Sequence, residues 1–226
     1  MNVDDLDGIT KKRAIDCEYL PLSDKTEEEY LKILKGDWNI RAEVDPSLYV
    51  EAASHASEEE IQSSGQSDFE REFLPRIKIP IGVCLELGCG LGRMTQFISK
   101  VSGLVVAVDI SSKLLEIAKR RLVESDYPNI LFVETNGMTL EGVADNSVDM
   151  AFEYIVFQHI PKSEIIKSYI REVHRVLKPG GRFIMHGRDV SGHDSGNMIG
   201  NTWHGCRISP EMVRKVIENT NFVISS

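Results

Sequence analysis

The chain has 226 residues, a formal net charge of −9, 42% apolar residues and 27% charged ones. This is ordinary globular usage for one domain with an appendage, or for two small domains, and it excludes collagen-like, coiled-coil and wholly disordered chains. The acidic surplus repels phosphate backbones, so nucleic acid is disfavoured as a partner.

In chain order, Met1-Asn2-Val3-Asp4-Asp5 lacks the basic start and apolar stretch of a secretion signal. No apolar run anywhere reaches the roughly 18–20 residues that cross a bilayer, so a cytoplasmic, membrane-free chain is expected. Residues 1–77 form an acidic appendage of helical pattern. Thr26 to Glu29 fits a capping box before the stripe Tyr30, Leu31, Leu34, and Gly36 is expected to stop that helix. Ser57 to Glu60 is a second capping box. The polar stretch Ser63-Ser64-Gly65-Gln66-Ser67 reads as a loop, and Phe69, Phe73 and Leu74 as a short apolar helical face ending at Pro75.

Residues 78–226 alternate strand and helix signals. Strands are expected at Ile81–Leu87, Leu104–Val108, Ile130–Val133, Val148–Phe152, Arg182–Met185 and Phe222–Ile224. Helices are expected around Met94–Val101, after the cap Ser111, over Ile165–Leu177 closed by Pro179-Gly180-Gly181, and after Ser209-Pro210. Lys119-Arg120-Arg121 falls within one of these helical patterns and reads as a solvated face. The β-α alternation predicts an α/β fold: a doubly wound, mostly parallel sheet with helices on both faces. The four cysteines, Cys17, Cys84, Cys89 and Cys206, are too scattered for a disulfide framework or a metal cluster and read as free buried thiols.

Chemistry concentrates at Leu85-Glu86-Leu87-Gly88-Cys89-Gly90-Leu91-Gly92-Arg93, which leaves a buried strand and enters a helix. Glycines there let the backbone turn sharply and let a ligand lie against it. In open α/β sheets, ligands bind at the carboxyl ends of the strands. A dinucleotide fingerprint wants Gly or Ala at its sixth place, where this chain has Arg93, so a nicotinamide-dependent oxidoreductase is the lesser alternative. Glu86, two residues before the first glycine, suits a ligand with positive charge. Asp109, ending the next strand, can accept two ribose hydroxyls, or simply cap a helix beside Ser111.

These residues resemble the class I S-adenosylmethionine-dependent methyltransferases, of small-molecule type. The resemblance covers residues 78–226 and rests on segments in order: the glycine turn, Val108-Asp109-Ile110-Ser111, Asn136-Gly137-Met138-Thr139-Leu140, Asn146-Ser147-Val148-Asp149, Val156-Phe157-Gln158-His159-Ile160-Pro161 and Arg175-Val176-Leu177-Lys178-Pro179-Gly180-Gly181. It implies a Rossmann-like fold and S-adenosyl-L-methionine as cofactor, leaving as S-adenosyl-L-homocysteine. It also implies site roles. Gly88, Cys89, Gly90 and Gly92 line the methionine part, and Glu86 orders the loop. Asp109 holds the ribose, with Ile110 against the adenine. Asn136 accepts from the adenine amino group beside Gly137 and Met138. Glu153 and Tyr154 floor the pocket near the methyl, while Trp38 and Arg41 close over the cofactor or simply pack in the appendage.

The implied reaction is methyl transfer to a small-molecule acceptor by in-line displacement. An oxygen acceptor is favoured, because no Asn-Pro-Pro-Tyr-like run follows the fourth strand, where Glu153-Tyr154-Ile155-Val156 stands. Such an acceptor needs deprotonation, for which His159 is the first candidate, against a role in ordering its turn. The stretch from His186 to Arg207, with Asp189, His193, Asp194, Trp203 and His204, is the other place for a base or an acceptor pocket; its spacing supports no metal site. The family's final antiparallel strand is not found, so a carboxyl-terminally truncated domain is expected. That leaves a non-catalytic S-adenosylmethionine-binding protein as the alternative from another class.

Overall fold

A computed structural model describes residues 25–47, 55–123, 127–160, 162–187, 208–218 and 220–224. Helix α1 (Glu27–Val44) and helix α2 (Glu58–Asp68) precede the sheet. Then follow β1 (Ile81–Leu87), α3 (Thr95–Ser99), β2 (Ser102–Asp109), α4 (Ser112–Val123), β3 (Ile130–Glu134), β4 (Val148–Glu153), α5 (Ser163–Val176), β5 (Leu177–Met185) and α6 (Pro210–Ile217). The sheet runs β3-β2-β1-β4-β5 with every described pairing parallel. Chain order reverses between β1 and β4, which opens a crevice at their carboxyl ends.

Strand periodicity separates two cores. Leu85 and Leu87, Val106 and Val108, and Ala151 face one side, with Tyr30 and Leu34 of α1 and Ile166, Ile170 and Val173 of α5. Cys84, Val105, Ala107, Met150 and Phe152 face the other, with Phe69, Phe73, Ile98 and Leu115. The register places like-facing residues side by side: Leu85 pairs with Val106 and Ala151, and Cys84 with Val105 and Met150. A sheet buried on both faces explains the near-continuous apolar runs of its strands.

Both capping boxes form. The Thr26 hydroxyl accepts from Glu29 N–H, and that of Ser57 from Glu60 N–H, each at 3.2 Å. Ser111 caps α4, accepting from Leu114 N–H at 3.1 Å, and Ser209 caps α6, accepting from Met212 N–H at 3.1 Å.

Several boundaries differ from expectation. Gly36 does not end the first helix, which continues to Val44 because Asp37, Arg41 and Ala42 bury on the same face as Leu34. The roughly 1 kcal/mol propensity cost of an interior glycine is smaller than such packing. The stretch 63–67 is not a loop but the interior of α2, where Gly65 is buried. Phe69–Phe73 continues it as a π-turn and Leu74–Arg76 as a 3-10 turn. Pro179-Gly180-Gly181 lies inside β5, at the irregularity where the pairing jumps from Val148–Leu177 to Met150–Arg182. Phe222–Ile224 is not a sixth strand: no described strand pairs with it, and Val223 is 87% exposed while Phe222 packs edge-on against His174. Cys84 and Cys89 are free and buried; Cys17 and Cys206 lie outside the described residues. Among the described residues no helix is long and apolar enough to cross a membrane.

Candidate functional site

The glycine turn follows β1. Gly88, Gly90 and Gly92 all adopt positive φ, at 66°, 54° and 74°. The requirement is strictest at Gly88, where a Cβ would stand 2.3 Å from a Val156 methyl. The turn is closed by Cys89 N–H donating to Val108 O at 3.0 Å and Gly92 N–H donating to Cys89 O at 2.8 Å.

Asp109 ends β2 beneath this turn. One carboxylate oxygen accepts from Gly90 N–H at 2.9 Å and the other from Ser111 N–H at 2.8 Å. Each oxygen keeps a lone pair for a ligand. Burial pushes the Asp109 pKa up to about 6 against these hydrogen bonds. Glu86 is buried on the neighbouring strand, and its Oε2 has no hydrogen-bond partner. Burial pushes its pKa up to about 7; the nearby Thr95 hydroxyl and Arg93 charge pull it down, and Asp109 adds to the rise. Two desolvated acids beside a bare backbone turn form a site for a ligand that brings positive charge and hydroxyl donors.

The turn, Asp109 and Glu86 open on one cavity. Ile110 and Leu114 give it an apolar wall, and Thr135 and Tyr169 a polar corner where their hydroxyls lie 3.1 Å apart. Leu34 and Trp38 of α1 cover it, and Trp38 meets the His159 ring edge-on at 5.4 Å between centroids. His159 is buried on the 3-10 turn Phe157–His159, with its Nε2 3.3 Å from the Gln158 amide nitrogen.

Trp38, Glu86, Gly88, Cys89, Gly90, Asp109, Ile110, Gly137, Tyr154 and His159 are thus brought to one cavity wall. Gly92, Arg41, Asn136, Met138 and Glu153 are not on it. Gly92 turns the backbone behind the wall. Arg41 is buried with its guanidinium 5.0 Å from the Trp38 ring. Asn136 accepts from Met138 and Thr139 N–H at 2.8 Å each, so its side-chain oxygen closes a turn of its own. Gly137 N–H already donates to the Thr135 hydroxyl at 2.8 Å. Glu153 is fully buried and its carboxylate accepts from Val156, Phe157 and His186 N–H at 2.6, 2.9 and 3.0 Å. It ties β4 to the end of β5, and burial pushes its pKa up to about 7 despite those bonds.

Two wall residues carried no sequence signal of their own, and a third, Arg93, was read only as a departure from the dinucleotide fingerprint. Thr135 and Tyr169 look like strand-end and helix-stripe residues. Arg93 is held by Asp68 of α2 at 2.6 Å, a nearly buried pair. Asp68 also pairs with Arg71 and accepts from the Tyr154 hydroxyl at 3.4 Å. The residues Asp189, His193, Asp194, Trp203 and His204 lie outside the described ones. Among the described residues no group of three or more His, Cys, Asp or Glu could hold a metal ion.

Residues 85–185 match the family model described as Methyltransferase domain. A demethylmenaquinone methyltransferase of Symbiobacterium thermophilum is 32% identical over 142 residues, covering 59% of this chain and 54% of the relative. A 2-phytyl-1,4-naphtoquinone methyltransferase of Nostoc sp. is 37% identical over 108 residues, covering 46% and 45%. The chain spans about half the length of these relatives. Among solved structures, a phosphoethanolamine N-methyltransferase of Haemonchus contortus, in complex with phosphoethanolamine and S-adenosylhomocysteine, superposes with a TM-score of 0.60 at 17% identity, over 82% of this chain and 39% of that one. A putative methyltransferase of Bacillus halodurans gives 0.58 at 17% identity, over 71% of each chain. The fold is theirs, and the glycine cradle, the orphaned Glu86 oxygen and Asp109 fit the cofactor that such domains use. Residues 85–185 therefore match a methyltransferase domain in sequence, and the chain shares the fold of these methyltransferase structures.

Proposed function

We propose that this chain transfers the methyl group of S-adenosylmethionine to a small organic acceptor through a deprotonated hydroxyl oxygen. The observation that carries this reading is a single cavity shared by the glycine turn, Glu86, Asp109 and His159. Bound there, the cofactor supplies an electrophilic methyl carbon on a positively charged sulfur. Asp109 would hold the ribose hydroxyls, and Glu86 would offset the ligand's positive charge from its buried place behind the turn. The walls would exclude water and align the acceptor, and such alignment supplies about 7–11 kcal/mol of the barrier.

His159, an imidazole on the same cavity wall, would take the acceptor proton. With its proton on His159, the acceptor oxygen would be free to take up the methyl carbon, the electron pair of the carbon–sulfur bond remaining on sulfur. A second reading, transfer to carbon, is favoured by a relative named as a ubiquinone/menaquinone biosynthesis C-methyltransferase. A phenolate conjugated to a ring is nucleophilic at the neighbouring carbon as well as at oxygen, so the same proton removal serves both.

The test is titration calorimetry with S-adenosylmethionine and S-adenosylhomocysteine, then methyl transfer to naphthohydroquinone with the product read by NMR. Micromolar binding lost in Asp109→Ala, with a new O- or C-methyl signal, supports the reading. Binding without transfer to any acceptor leaves a cofactor-binding protein, and no binding by the folded chain removes the proposal.

A further inference from the structure

Helix α1 lies across the cavity as its cover, and the polar contacts that hold it there differ in kind. Lys35 pairs with Glu134 at the end of β3, and Lys113 of α4 lies 3.9 Å from Glu43. These four side chains are between 41% and 64% exposed. Ion pairs so open to solvent contribute little. Asn39, the neighbour of Trp38, makes a contact of another sort from a partly buried position. Its Oδ1 accepts from the Ser111 hydroxyl at 2.7 Å and from Lys113 N–H at 3.3 Å. A backbone N–H can only donate, so the atom facing Lys113 is the amide oxygen. Lys113 N–H belongs to the first turn of α4, whose amides lack partners within the helix. An acceptor from a distant helix therefore completes the cap that Ser111 begins.

The contact reaches the ligand site through Ser111, which is fully buried. Ser111 N–H donates to one Asp109 oxygen at 2.8 Å. Its hydroxyl accepts from Leu114 N–H at 3.1 Å and gives its own proton to Asn39. The other Asp109 oxygen is held by Gly90 N–H at 2.9 Å. The turn from Asp109 to Ser111 is thus fixed from the glycine turn on one side and from α1 on the other. Packing follows the same line. A Cβ on Gly137 would stand 2.7 Å from both Leu31 of α1 and Ile110, so these two side chains close on one spot beside the cavity.

We propose that Asn39 is a positioning residue for the cofactor's ribose: it holds Ser111, and through Ser111 the Asp109 carboxylate, so that docking of α1 and capture of the ribose hydroxyls support one another. The inference rests on the reading above in which Asp109 holds the ribose. Such coupling is reciprocal. A ribose on Asp109 must tighten α1, and loss of the Asn39 contact must loosen the ribose.

The test compares S-adenosylhomocysteine with its 2′-deoxyribose analogue, which lacks one hydroxyl donor, by calorimetry on the full chain. In Asn39→Ala, S-adenosylhomocysteine should bind about five- to tenfold more weakly and the analogue less than about twofold, because the ribose hydroxyl is what Asn39 supports. Asn39→Asp keeps an oxygen acceptor at the positive end of α4 and should bind S-adenosylhomocysteine within about twofold of wild type. A merely loosened fold would weaken both ligands alike. Equal weakening of the two, no weakening, or Asn39→Asp as weak as Asn39→Ala overturns the proposal. Hydrogen exchange on wild type needs no variant. At saturation, S-adenosylhomocysteine should slow exchange of the α1 amides more than the analogue does, and equal slowing also overturns the proposal. Equal binding of the two ligands by wild type would remove the ribose reading of Asp109 and this proposal with it. A wild-type preference for the hydroxyl that persists in Asn39→Ala would remove the role of Asn39 alone.

Discussion

Replacing Gly65 by alanine should destabilise the protein, although alanine is the better helix former. The residue sits inside α2, where alanine is worth about 1 kcal/mol over glycine. Its backbone, however, lies against the chain just after the glycine turn. A Cβ there would stand 2.1 Å from the Arg93 carbonyl oxygen and 2.7 Å from its carbon. That neighbour is backbone and cannot rotate aside, so α2 must move off the sheet. Overpacking costs about 1–3 kcal/mol, and a clash with fixed backbone takes the upper half of that range, about 2–3 kcal/mol, which leaves a net loss of about 1–2 kcal/mol after the helix gain. For a chain of this size the melting temperature falls by about 2–8 °C. Gly36, inside α1, is the control, since a Cβ there meets nothing within 4 Å. Gly36→Ala should raise the melting temperature by about 2–4 °C. Thermal unfolding followed by circular dichroism reads both. A rise in both variants would show that α2 does not pack against the Arg93 backbone as described.

Three further outcomes are expected. Asp109→Ala should weaken S-adenosylhomocysteine binding at least about thirtyfold in calorimetry, because it removes the ribose acceptor and orphans the N–H groups of Gly90 and Ser111. Glu86→Gln should change the pH dependence of stability. The folded pKa of Glu86 is raised to about 7 from 4.5, so the native state holds the proton longer than the unfolded one. Wild type must then lose stability as pH rises from about 4.5 to about 7 and no further from this group above it; denaturant midpoints for Glu86→Gln should lack that part of the slope. Asp68→Ala and Arg93→Ala should couple by about 0.5–3 kcal/mol in a double-mutant cycle of unfolding free energies, since the pair is 2.6 Å apart with both side chains mostly buried.

Much of the sheet was readable because its central strands β1, β2 and β4 are largely buried and the long helices carry a stripe: β1 to β5 fall where the apolar runs stand. The glycine turn and Asp109 were readable for a different reason, since positive φ and a strand-end acid leave marks in the residue types themselves. The failures share a physical cause. Whether 63–67 is helix or loop depends on Arg93 packing against Gly65, a contact between distant segments. Glu153 and Asn136 carry side chains that suit a ligand, yet the backbone N–H groups nearby claim their oxygens. Phe222–Ile224 has strand composition but no described strand beside it.

The Asp68 carboxylate touches Arg93 next to the glycine turn, Arg71 of its own segment and Tyr154 on the cavity wall. The amino-terminal helices are therefore not a freely interchangeable module. A chimera that grafts them from a relative would have to bring an acid to the place of Asp68 and a residue without a Cβ to that of Gly65. Otherwise the graft would disturb the turn on one side and Tyr154 on the other, and exchanging the cover to alter acceptor choice would also alter the floor.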